Sequence, residues 1–103
     1  MTDEIKIIPL HYAKRIEEFV KAVGRKVRVA LFYRREGKKL VCFAYITDFS
    51  TGNPREDIPR FNKEVKEMGA NFATIIDVTP NSRRSVITQL SRKTFSMVIP
   101  YEI

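Results

Sequence analysis

The sequence predicts a single α+β domain, a mainly antiparallel sheet with helices packed on it. Three observations carry this prediction. Apolar spacing switches between helical and alternating phases along 103 residues, a length that supports one hydrophobic core. A turn at Arg35-Glu36-Gly37-Lys38 joins two runs rich in β-branched and aromatic residues. The order helix, glycine, strand, connection, strand occurs twice.

Glu4 to Leu10, with Ile5, Ile7 and Ile8, is expected to be a short strand. From His11, the apolar residues Tyr12, Ile16, Phe19, Val20 and Val23 line one helical face, and Gly24 supplies the stop. Lys26 to Arg34 alternates, placing Val27, Val29, Leu31 and Tyr33 on one side of a strand. The run Lys39 to Phe49 is apolar on both sides, which predicts a central strand covered on both faces.

Ser50-Thr51-Gly52-Asn53-Pro54 breaks the pattern. A second helix follows, from Pro54 or Asp57 to Met68, with Ile58, Phe61, Val65 and Met68 inward and Gly69 as its stop. Pro59 is expected in its first turn, where a missing N–H costs nothing. Asn71 to Val78 reads as a strand, Arg83 to Leu90 as a short helix capped by Ser82, and Thr94 to Ile103 as a last strand. Pro100 cannot donate to a ladder, so that strand is expected at a sheet edge.

Sliding the chain by 45 positions aligns Pro9 with Pro54, Arg15 with Arg60, Lys21 with Lys66 and Gly24 with Gly69. Ten further residues after Val78 bring Lys38/Lys93, Leu40/Phe95 and Cys42/Met97 into line. Two repeat units, about 9–49 and 54–103 of a single domain 1–103, are expected around a pseudo-twofold, with a groove at their seam.

The net charge of +7 is unevenly placed. Residues 25–39 hold Arg25, Lys26, Arg28, Arg34, Arg35, Lys38 and Lys39 against one acid, Glu36, and a second cluster holds Arg83, Arg84, Arg92 and Lys93. Concentrated positive charge attracts polyanions. Arg28, Arg34, Arg35, Lys38 and Lys39 are therefore the expected nucleic-acid contacts. Phe32, Tyr33, Phe43 and Tyr45 fit core positions better than base-stacking ones. Ser82, Arg83 and Arg84 form a candidate anion site, on the expectation that free N–H groups of a first helical turn lie beside two guanidinium groups.

No catalytic, metal or cofactor pattern emerges. His11 has no neighbouring acid to orient it and is expected to be a solvated or capping residue. Asp77 is expected in a turn or cap, and the lone Cys42 in the core. No apolar run is long enough to cross a bilayer and the first residues lack a basic leader, which predicts a cytoplasmic protein without a membrane partner.

One Gln and four Asn beside 30% charged residues is the usage of heat-stable proteins. In length, basic composition and two-unit layout, carried by Pro9/Pro54, Arg15/Arg60, Lys21/Lys66 and Gly24/Gly69, the chain resembles small orphan proteins of hyperthermophilic archaeal filamentous viruses, the Acidianus filamentous virus group. The resemblance implies a viral protein in a host cytoplasm and transfers no functional residue. Val27 to Val65, a basic hairpin leading through Thr51-Gly52-Asn53-Pro54 into a helix, also resembles part of the RelE/HigB-type messenger-RNA-cleaving toxins. It departs from them in having one helix before the hairpin and in lacking paired lysines after the second strand. The sequence thus predicts a non-enzymatic module that binds nucleic-acid phosphates through a basic hairpin. An adapter for a protein or peptide, held in the seam or on the last strand, is the alternative, and a ribonuclease the third reading.

Overall fold

The computed structural model describes residues 5–49, 53–81, 83–91 and 98–100. Strand β1 (Ile5–Ile7) leads to helix α1 (Leu10–Val23), whose Ala13, Ile16 and Val20 are buried. Gly24 ends α1 at φ 72°, with its N–H on the Val20 carbonyl, a left-handed cap that any Cβ would strain.

The chain then forms β2 (Val27–Glu36), turns at Gly37 and Lys38, and returns as β3 (Lys39–Ile46). The ladder between them slips once: Phe32 pairs with Ala44 and Tyr33 with Cys42, leaving Phe43 as a bulge residue. The Phe43 carbonyl accepts the Tyr12 hydroxyl at 3.0 Å, which ties α1 to the bulge.

β3 was expected to run to Phe49, but it stops at Ile46. Asp48 takes a positive φ of 52°, a conformation Asp tolerates better than most residues, and this turns Phe49 inward. Phe49 is fully buried, its N–H donating to the Arg28 carbonyl while Arg60 donates to its own carbonyl and lies 4.7 Å over its ring.

Helix α2 (Pro54–Met68) begins at Asn53, whose Oδ1 accepts the Arg55 N–H, and carries Glu56 and Asp57 at the positive end of its dipole. Two expectations fail here. Pro59 lies inside the helix, not in its first turn. The buried stripe is Asp57, Phe61 and Val65, an i, i+4, i+8 row, so Ile58 is left 57% exposed one position out of phase.

Strands β4 (Phe72–Val78) and β5 (Val98–Pro100) and the six-residue helix α3 (Val86–Ser91) complete the element order. The sheet runs β1-β3-β2-β4-β5; β1 is parallel to β3 and every other pair is antiparallel. β3 lies inside the sheet between β1 and β2, as its apolar pattern predicted, with Leu40 and Cys42 in the core of one face and Phe43, Ala44 and Ile46 packed on the other; β2, in the middle of the five strands, buries seven consecutive positions wholly or in part.

Two cores lie on the two faces. On the first, α1 and α3 cover Val27, Val29, Leu31, Tyr33, Leu40, Cys42, Ile76 and Val78. On the second, α2 places Phe61 and Val65 over Ala30, Phe32 and Ala73. Cys42 is buried, as expected, with its thiol pushed up to about 11 by desolvation. The structure is a single α+β domain with a mixed sheet and three helices.

Helix, glycine and strand follow one another in both halves, and Ala30 pairs with Ile75, forty-five positions on. α1 covers one face of the sheet and α2 the other. The two halves meet along the β2–β4 ladder from Val27–Val78 to Tyr33–Phe72. The alignments with Lys93, Phe95 and Met97 lie outside the described residues.

Candidate nucleic-acid interface

The β2–β3 hairpin carries the five expected contact residues to different places. Arg28 stands near its start, in register with Asp77 on β4. Its Nε and Nη2 donate to the two Asp77 oxygens at 2.8 and 3.2 Å, which raises the Arg28 pKa and holds the Asp77 carboxyl below its ordinary range. Asp77 is thus a strand residue engaged across the sheet, not a turn or cap. Arg25, at the same end, binds Asp48 at 2.9 Å.

Arg34, Arg35, Lys38 and Lys39 lie at the other end, and all are exposed. The β2–β4 ladder ends at Tyr33–Phe72, so Arg34, Arg35 and Glu36 of β2 run past β4, while on the other side β1 stays beside β3 from Lys39 to Val41. Asn71 anchors the base of this projection: its Oδ1 accepts the Arg35 N–H at 2.7 Å, and its own N–H donates to the Tyr33 carbonyl at 2.9 Å. The Arg34 guanidinium stacks on Phe43, 4.3 Å from the ring centre. Among the described residues, no carboxylate lies within ion-pair distance of Arg34, Lys38 or Lys39, although Glu36 shares the tip.

Lys6 joins this end and was not singled out from sequence. β1 pairs in parallel with β3, which sets Lys6 beside Leu40 and brings its Nζ 5.1 Å over Phe72. The only local signal was the alternation Ile5-Lys6-Ile7; the pairing partner, more than thirty residues away, is a matter of topology.

The aromatics do not form a platform for bases. Phe32 and Tyr33 are buried on opposite faces, Tyr45 packs against Tyr12 at 5.1 Å, and Phe43 lies under Arg34.

The second basic cluster departs from its expected geometry. α3 starts at Val86, and the first-turn N–H of Thr88 is capped by Ser85 Oγ at 3.1 Å, so Arg83 and Arg84 precede the helix. Ser82, Arg92 and Lys93 lie outside the described residues. Gln89, the single glutamine, organises this segment: its side-chain amide accepts from the Thr79 N–H and donates to the Thr79 and Arg84 carbonyls, at 2.9, 2.8 and 3.0 Å. His11 is exposed and stands edge-on to Tyr12 at 4.7 Å.

Among the described residues, no helix is long and apolar enough to cross a membrane. No protein-family model, curated protein or solved structure matches the chain.

Proposed function

We propose that this protein is a small non-enzymatic binding module that holds the phosphate backbone of nucleic acids at the projecting end of the β2–β3 hairpin. One observation carries the reading: the cations are partitioned. Arg25 and Arg28 at one end of the sheet are matched by Asp48 and Asp77, with Lys26 beside them outside any ion pair, whereas three cations, Arg34, Lys38 and Lys39, gather at the other end without a carboxylate in ion-pair distance among the described residues. Cations without an internal carboxylate partner lose little on meeting phosphate and release its counterions, which gives affinity without sequence readout. Arg28 is left out of this interface because binding phosphate would require it to leave Asp77.

The test is a salt series with mixed-sequence DNA and RNA. Affinity should fall steeply as salt rises, with a log–log slope of about −4 for four or five phosphate contacts. Absence of binding at low salt would refute the proposal.

The adapter reading retains one supporting observation, the place of β5 at the sheet edge among the described residues, where outward backbone groups can take another strand. Capture of one defined protein, insensitive to nuclease and retained after the tip cations are replaced, would favour it. The rest of the expected strand, Thr94 to Met97 and Tyr101 to Ile103, lies outside the described residues.

A further inference from the structure

Resting on the proposal above, we infer that the ligand is a duplex, its groove entered edge-on by the projecting end of the sheet so that each face of the sheet meets one phosphate backbone. The argument is the side on which each cation stands. Odd positions of β2 face the α1 core and even positions the α2 core, and the bulge at Phe43 leaves β2 itself in phase. Arg35 therefore stands on the α1 side, opposite Leu40, and Lys6, in register with Leu40 on β1, joins it there. Arg34 stands on the α2 side over Phe43; Lys39, opposite Glu36, shares that side. Lys38 occupies the turn between them.

A module that lies along one strand needs its cations on one face, with aromatic rings open to the bases. This end offers neither. Its cations are divided between two faces, and Phe32, Tyr33, Phe43 and Tyr45 are buried or covered. Two phosphate rails flanking a major groove about 12 Å wide match a layer with positive charge on both sides.

The experiment compares a 20-base-pair mixed-sequence DNA duplex with each of its separated strands at one salt concentration, using the wild type and two variants. R34Q/K39Q neutralises the α2 side and K6Q/R35Q the α1 side; glutamine keeps much of the packing stem, and melting curves verify folding. The duplex is expected to bind about tenfold tighter than either strand, and each variant to flatten the duplex salt slope by about 1.8, two phosphates' worth. Equal or tighter binding of a single strand, or a slope unchanged in either folded variant, would overturn the duplex inference while leaving phosphate binding intact. No binding to any of the nucleic acids at low salt would refute the proposed function itself, and this inference with it.

Discussion

Arg28 and Asp77 face each other at one register position of the β2–β4 ladder and share two hydrogen bonds, at 2.8 and 3.2 Å. Both side chains are more than a third exposed, so solvent screens the pair and its contribution is small, about 0.5 kcal/mol. Its sign with pH is nonetheless fixed. A carboxyl whose pKa is lowered on folding stabilises the protein above the ordinary aspartate range and ceases to do so as pH falls through the lower folded value. Asp77→Asn should therefore be less stable than wild type at pH 7 and indistinguishable from it at about pH 2, by urea unfolding. A difference that persists or grows in acid would contradict the assignment.

Tyr12→Phe removes only the hydroxyl that meets the bulge carbonyl of Phe43. The ring contacts with Tyr45 and His11 remain. The expected loss is about 1 kcal/mol, because the part-buried carbonyl is left without this donor. Unchanged urea stability would mean that the bond contributes nothing to fixing α1 on the sheet.

Gln89→Glu keeps the acceptor for the Thr79 N–H but cannot donate to the Thr79 and Arg84 carbonyls. Thr79 and Arg84 should separate from α3 more readily, with the Thr79 amide exchanging at least about tenfold faster by hydrogen exchange. Equal protection would show that the turn is held by other contacts.

Thr74 is buried and approaches the Tyr33 hydroxyl without forming a bond of acceptable geometry, so its Oγ1 has no hydrogen-bond partner among the described residues. Thr74→Val should be as stable as wild type or more so, by about 1 kcal/mol, since it removes a desolvated hydroxyl and keeps the β-branched shape. A clear loss of stability would reveal a partner for that oxygen.

The fold was legible where a local pattern decides it. The stripe of α1, the glycine stops at Gly24 and Gly69 and the hairpin turn at Gly37 rest on spacing and on backbone conformations that glycine adopts freely. The failures are of another kind. Ile58 and Asp57 are adjacent, and a one-residue error of helical phase exchanged them; an acid beside the helix start is not what an apolar template selects. β3 is internal, as its two apolar sides indicated, but the strand that covers its outer edge was not legible: β1 comes alongside in parallel from a distant part of the chain. In the candidate site, the tip residues Arg34, Arg35, Lys38 and Lys39 were visible as a charge cluster. Arg28 belonged to the same cluster in sequence but is removed from it by Asp77, forty-nine positions away, and Lys6 is added to it by strand order. Charge density is written along the chain; which charges find partners is written in the register.

The central claim is that position on the sheet, not net charge, determines binding, and two triple variants of equal charge test it directly. R34Q/K38Q/K39Q removes the projecting cations, and R25Q/K26Q/R28Q removes three cations from the acid-matched end. Binding of mixed-sequence nucleic acid is measured for both across a salt series. The tip variant should flatten the log–log salt slope by about 2 to 3 and lose most of its affinity at moderate salt, while the other keeps nearly the wild-type slope. Equal losses in the two variants, or a larger loss from the Arg25, Lys26 and Arg28 replacements, would contradict the account.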